Sequence, residues 1–386
     1  MRHMLLYAYS IVALLLPIRA QAQDFHQAPV PVAQRILSFK LRSPLVHLSL
    51  AEYAPSENSV FAGATTFRMY TRPASSVFLK IRWDMDASDG VAFSGWYDDQ
   101  DHPAVVTHAY AAPGKKTITF ELKLYNTLGQ EQFAAKTVEI FVVPFPTSSH
   151  ADSRGNTLFY WEGADGVYDK PLLSLEGFDP ENDDQPAGNY AKGFDLAEAA
   201  RSEGYDMLFL NFADGGGDVV RNKDVFLGAC TFAHDKLAGR ESAVQVVGAS
   251  MGGTVERYGL AWAEDQTRRG HVTEHHVNTF ISFDAPQQGA HLNIYLQNLL
   301  RDRGTPAQQQ ELQSVAAKQL LYENTYGSLY DVFFSGLTAL NSDGNEQTNG
   351  YPRKCRNYAV SNGNFAPDYP EKTAGVDPLA TLTIYK

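Results

Sequence analysis

The run Val244-Gln245-Val246-Val247-Gly248-Ala249-Ser250-Met251-Gly252-Gly253 is an apolar, β-branched stretch that ends in G-x-S-x-G. Val255, Tyr258, Leu260 and Trp262 follow it at roughly helical spacing, which places the serine on a strand-to-helix turn. A serine hydroxyl is a poor nucleophile unless it is held exposed beside a base. A tight turn with glycines on both sides does that holding, so Ser250 is the candidate nucleophile.

On both sides of this turn the chain alternates between strand and helix patterns. Leu172 to Leu175 and Met207 to Leu210 read as buried strands, and Phe194 to Arg201 and Asp218 to Leu237 as helices. Val244 to Gly248 is the next strand, Gly252 to Glu264 a helix, Thr279 to Phe283 a strand, and Cys355 to Val360 one more. That order specifies a mostly parallel sheet covered by helices, an α/β architecture. Residues 292–350 are mostly helical in pattern and are expected to cap the sheet's carboxyl edge.

The first half reads differently. Val77, Leu79, Ile81 and Trp83 alternate with polar or outward positions, as do Ile118, Phe120, Leu122 and Leu124, with turn chemistry at Ala112-Pro113-Gly114 and Asn126-Thr127-Leu128-Gly129. An all-β sandwich over residues 23–145 is expected, with a Pro/Ser-rich linker at 146–156 and the α/β domain at 157–386. The first 22 residues have the form of a secretory signal: Arg2, an apolar stretch from Leu5 to Leu16, and Ala20-Gln21-Ala22 as cleavage site. The expected localisation is secreted, periplasmic or at the cell surface. The apolar stretch is too short for a comfortable membrane span and stops at Pro17, and no later segment approaches membrane length.

The chain carries 44 acidic against 32 basic residues. Loss of Arg2 and Arg19 with the signal would bring the net charge to about −14, which argues against nucleic acid and anionic membrane surfaces as partners. Two cysteines, Cys230 and Cys355, make no disulfide scaffold; one bridge or two separate buried thiols fit equally. The acidic clusters Asp84 to Gly90 and Asp98 to Asp101 miss the spacing of a calcium loop and read as solvated loops. His271 and His275 lack the glutamate placement of a zinc helix and read as a solvated connection, and His234 as a helix-surface residue. Asp214-Gly215-Gly216-Gly217-Asp218 would repel phosphate; it reads as a turn into a helix with Asp218 as N-cap. No metal and no organic cofactor is implied.

Two resemblances add to this reading. Tyr110 to Thr119, with the following strand and Val138-Glu139-Ile140-Phe141-Val142, resembles the last strands of PKD-type immunoglobulin-like domains. Gly248-Ala249-Ser250-Met251-Gly252-Gly253, Arg257-Tyr258 and Ile281-Ser282-Phe283-Asp284-Ala285-Pro286-Gln287-Gln288-Gly289-Ala290 together resemble a secreted bacterial lipase/esterase group of the α/β-hydrolase superfamily. Glu176-Gly177-Phe178-Asp179-Pro180, Ala316 to Leu321 and Tyr351 to Asn357 agree with it. The chain departs from that group at Gln287, where a histidine is expected.

The resemblance implies cleavage of carboxylic esters, with lipid or other hydrophobic esters as substrates. An oxyanion formed at the acyl carbon needs two N–H donors. Met251, directly after the nucleophile, supplies one, and Phe178, in the loop after the early strand, is the candidate for the other. Asp284 is the candidate acid, with Asp368 and Asp377 as alternatives further on. The expected order is serine, acid, histidine, but no histidine follows His291. Three accounts stay open: a sequence that stops short of a histidine-bearing loop, His291 as base from an unusual position, or a base lost from a non-catalytic surface or binding relative. Oligomeric state is not legible in the sequence.

Overall fold

The computed structural model describes residues 25–29, 37–43, 59–73, 79–91, 93–98, 104–125, 130–182, 186–271, 274–342 and 349–361. The stretch read as a secretory signal, Val77 and Phe78, the expected turn at residues 126–129, and Asp368 and Asp377 lie outside them.

After β1 (His26–Ala28), the first half is all strand: β2 (Leu37–Ser43), β3 (Ser59–Phe61), β4 (Gly63–Pro73), β5 (Leu79–Asp84), β6 (Tyr97–Asp98), β7 (Ala104–Tyr110), β8 (Gly114–Tyr125) and β9 (Glu131–Val143). They build a three-stranded sheet, β2-β4-β7, and a five-stranded one, β3-β9-β8-β5-β6. Period-2 alternation does the work. Ile118 and Phe120 are buried between the more exposed Thr117 and Thr119, and they share one apolar cluster with Phe67 of β4, Ile81 of β5 and Ile140 of β9. Tyr110 closes this core by donating its hydroxyl to Met85 O at 2.9 Å.

The acidic cluster here is not wholly solvated. Asp86 is buried, paired with Lys116 at 2.7 Å and bonded by Ser88. Burial pushes its carboxyl upward, but those partners outweigh it and hold the group below the usual aspartate range.

The second half continues with β10 (Ser148–Ala151), β11 (Thr157–Trp161), β12 (Pro171–Leu175), α1 (Pro186–Lys192), α2 (Phe194–Ser202), β13 (Asp206–Asn211) and α3 (Val219–Asp235). Then come β14 (Val244–Ala249), α4 (Met251–Arg268), β15 (Val277–Phe283), four short helices, and β16 (Arg356–Val360). The short helices are α5 (Ile294–Arg303), α6 (Pro306–Gln313), α7 (Val315–Leu320) and α8 (Tyr330–Ala339), within the stretch expected to be helical. Eight strands form one mixed sheet in the order β1-β10-β11-β13-β12-β14-β15-β16. From β13 to β16 all pairings are parallel, while β1, β10, β11 and β13 pair antiparallel.

β10 lies inside the stretch 146–156 that the sequence reads as a linker. Its Ser-Ser-His-Ala run has no apolar alternation; backbone pairing with β1 on one side and β11 on the other holds it.

β12 has β13 on one side and β14 on the other, so the winding direction reverses between β12 and β14. In open α/β sheets, the crevice outside the carboxyl ends at such a reversal is where ligands bind. One face of the sheet packs on α3, α4 and the short helices through Leu173, Leu208, Val246, Phe226, Val255 and Leu337. The other face gathers Phe159, Trp161, Tyr190 and Phe194 together with Val143, and Phe61 and Phe141 of the first half pack against them. Trp161 is 1% exposed and donates its indole N–H to Pro144 O at 2.9 Å. Truncating such a residue to alanine costs about 3–5 kcal/mol, so the two halves share part of one core.

Candidate active site

Ser250 sits between β14 and α4 with φ 51° and ψ −129°. A non-glycine residue held there carries of order 1–3 kcal/mol of backbone strain. Its own N–H donates to Phe283 O at 3.1 Å, and its carbonyl accepts from Gly253 N–H at 3.2 Å. Tight packing makes small neighbours obligatory. A Cβ on Gly252 would lie 2.6 Å from Glu176 O, and one on Gly253 would lie 2.7 Å from Ala285 Cβ. The side chain is thereby left exposed at the sheet's carboxyl edge.

The loop after β12 comes to the same place. Gly177 lies against Ser250: a Cβ there would stand 3.4 Å from Ser250 Cβ and 3.8 Å from its Oγ. Asp179 N–H donates to Gly215 O at 3.2 Å, and Gly215 and Gly216 pack so closely on Asp179 and Pro180 that neither position has room for a side chain. The glycine run before α3 is thus the buttress of this loop. Asp218 caps α3 as expected, accepting from Val220 N–H at 2.9 Å, and also takes a bond from Gln319 of α7 at 2.7 Å. The N–H groups of Met251, directly after Ser250, and of Phe178, directly after Gly177, have no acceptor among the described residues.

Asp284 follows β15, whose last residue pairs in register with Ala249. Ser250 and Asp284 therefore leave adjacent parallel strands side by side, both at positive φ. Asp284 N–H donates to Val360 O at 2.6 Å, and Ser361 Oγ donates to Asp284 Oδ1 at 3.4 Å. His291 is exposed on the same connection, with its ring 5.1 Å from that of Tyr322. No hydrogen bond joins it to Ser250 among the described residues. The structure brings the Gly177–Phe178 loop against Ser250, with Asp284 on the neighbouring strand end, and among the described residues no hydrogen bond ties His291 to them.

Gln287, at the position of the missing histidine, braces the loop. Its Nε2 donates to Gly253 O at 3.0 Å and Ser282 Oγ at 2.8 Å, and its Oε1 accepts from Arg257 at 3.3 Å. Arg257 is buried, donates to the carbonyls of Gln287, Asn349 and Gly350, and stacks 4.0 Å above the Tyr351 ring. Burial pulls its guanidinium below its ordinary range.

Two histidines depart from expectation. His275 is buried rather than solvated: its Nδ1 accepts from Val277 N–H, which leaves Nε2–H to donate to Glu264 at 3.2 Å. His234 is half-buried, its ring stacked on that of His276 at 3.8 Å and 4°. Burial, then His234, lowers the His276 imidazole. A cavity of about 210 Å³ next to Glu264, His275 and His276 opens at the amino end of β15, away from Ser250. Among the described residues no group of three His, Cys, Asp or Glu side chains is placed to hold a metal ion, and no helix is long and apolar enough to cross a membrane. Cys230 and Cys355 are free and buried.

Glu256, six residues after Ser250, escaped the sequence reading. The signal was there: it occupies a position on the apolar face of α4, in line with Leu260 and Ala263.

No protein-family profile and no curated protein matches this sequence. Among solved structures, a Bacillus licheniformis lipase in its mature form is similar at 15% identity and TM-score 0.33, over 52% of this chain and 70% of its own. Candida antarctica lipase A in its closed state is similar at 11% identity and TM-score 0.28, over 54% and 45%. A hyperthermophilic esterase of the archaeon Pyrobaculum calidifontis is similar at 13% identity and TM-score 0.25, over 33% and 39%. The chain thus spans less than two thirds of the latter two. At those scores the likeness carries nothing about reaction or substrate, which rest on the site's own residues.

Proposed function

We propose that the protein is an exported serine hydrolase that cleaves carboxylic esters through an acyl-Ser250 intermediate. One observation carries this reading: an exposed serine on a strained turn, with the Gly177–Phe178 loop against it and the N–H groups of Met251 and Phe178 without acceptors among the described residues. Ser250 Oγ attacks the acyl carbon as a base takes its proton. The oxyanion is received by the N–H groups of Met251 and Phe178, the alcohol leaves, and water releases the acid. Asp284 is the acid and His291 the candidate base; to act, its ring has to meet Ser250 Oγ.

Phe178, Phe283 and Val360, each just beyond or at the carboxyl end of a strand, are exposed apolar side chains at this edge and favour a hydrophobic ester. Export, a PKD-like sandwich and the partition near residues 22, 145 and 156 belong to the same proposal.

The test is covalent labelling of the protein by a fluorophosphonate probe, beside Ser250→Ala and His291→Ala. Labelling lost in both variants supports the reading. Labelling that survives His291→Ala assigns the base elsewhere, and folded protein that never labels removes the reading. The lack of any hydrogen bond between His291 and Ser250 among the described residues favours one rival, a binding relative that keeps the pocket without turnover.

A further inference from the structure

Helix α4 runs back from Ser250 under the turn that presents it, and Glu256 lies on its inner face. The residue is 0% exposed, and neither carboxylate oxygen has a hydrogen-bond partner among the described residues. It touches the turn itself: a Cβ on Gly248 would fall 2.5 Å from Glu256 Oε2 and equally close to Gly253 Cα. The groups that face it from other elements are Cys230 of α3 and Cys355 ahead of β16, both buried thiols. Burial pushes the Cys230 thiol far up and the Cys355 thiol up to about 12. Neither brings a positive charge. A bare carboxylate in such a place is costly enough that the group takes a proton instead.

We infer that Glu256 is a positioning residue, held as a neutral acid behind the Gly248–Gly253 turn, and that its ionisation on the alkaline side unseats the turn that presents Ser250. The first half stands on burial and the absence of partners. The second half rests on the nucleophile reading of Ser250.

The direction of the pH effect follows from linkage. Burial raises the folded-state value of this carboxyl well above the ordinary 4.5. Below about 4.5 the group is protonated in folded and unfolded chains alike and adds no pH dependence. As pH rises, the unfolded chain ionises first, so folded stability falls until the folded value is passed and then levels off.

The experiment compares the full chain with Glu256→Gln and Glu256→Met by thermal midpoint and by rate of fluorophosphonate labelling, from pH 5 to 10. We expect the midpoint of each variant to gain on the parent steadily as pH rises. The alkaline fall in labelling should move up by at least about one pH unit in both. A midpoint difference that does not change with pH would overturn the neutral acid. So would failure of both variants to fold, because a neutral side chain of similar size should replace a neutral carboxyl. An unchanged alkaline limit of labelling overturns the positioning role alone. A parent that never labels overturns the nucleophile reading and the positioning role with it, while the midpoints still decide the state of Glu256.

Discussion

The two ends of α4 hold two buried glutamates that the protein treats in opposite ways. Glu264, near the carboxyl end, accepts from His275, from Asn341 Nδ2 at 2.7 Å, and from the N–H groups of Arg353 and Lys354, also at 2.7 Å. Burial alone would raise its carboxyl, but those donors outweigh it and hold the group below 4.5. Glu256, near the amino end, has no partner among the described residues and is raised. Backbone strain and N–H groups without acceptors gather at that same end. One helix thus carries a satisfied polar hub that ties elements together and an unsatisfied end that presents Ser250. Local departures from good packing and polar satisfaction concentrate where a protein does its work.

The sharpest way to break this contrast is chemical. If the amino end presents a nucleophile, Ser250→Ala should lower ester turnover by roughly a millionfold and leave the melting temperature nearly unchanged. Turnover that survives would show the strained turn to be structural.

At the other end the expected loss is in folding. Glu264→Ala should cost about 3–5 kcal/mol in urea denaturation, because it strands two side-chain donors and two backbone N–H groups. A loss under about 1 kcal/mol would mean the hub is not what joins α4 to the 341–354 segment.

Between these lies the oxyanion donor. Phe178→Pro removes one N–H and should lower kcat by about 100- to 1,000-fold with little change in KM. Equal loss in both constants would point to a displaced loop instead.

The two glutamates should also give opposite pH slopes. Stability from Glu264 is present above about 4.5 and lost as pH falls through its lowered folded value, so Glu264→Gln should flatten the acid limb of a stability–pH curve. Glu256→Gln should flatten the descent above 4.5, each limb having a slope of up to about 1.4 kcal/mol per pH unit. The smallest effect is Ser250→Gly, which relieves the positive φ and should stabilise by about 1 kcal/mol.

Much of this was legible in the chain, for identifiable reasons. Alternating strand and helix periods gave the α/β half, because burial repeats every two or 3.6 residues whatever the partner. The glycines around Ser250 announced the turn, and Asp218 its cap. What failed to show was whatever depends on distant partners. Gln287 and Arg257 lock each other across 30 residues. His275 is dry only because Glu264, eleven residues earlier in the chain, faces it. β10 has no apolar pattern, since two neighbours and not a core define it.

The pairing of β1 with β10 has a practical side. Residues 26–28 belong to the large sheet, and the chain then passes through both smaller sheets before it returns at 148. The first half is therefore anchored at both of its ends, like a handle bolted on twice rather than a bead on a string. Cutting at residue 145 to obtain the α/β half alone would strip β1 away and bare the backbone of β10. A bare strand edge recruits other chains, so such a fragment should self-associate unless residues 25–29 are grafted back.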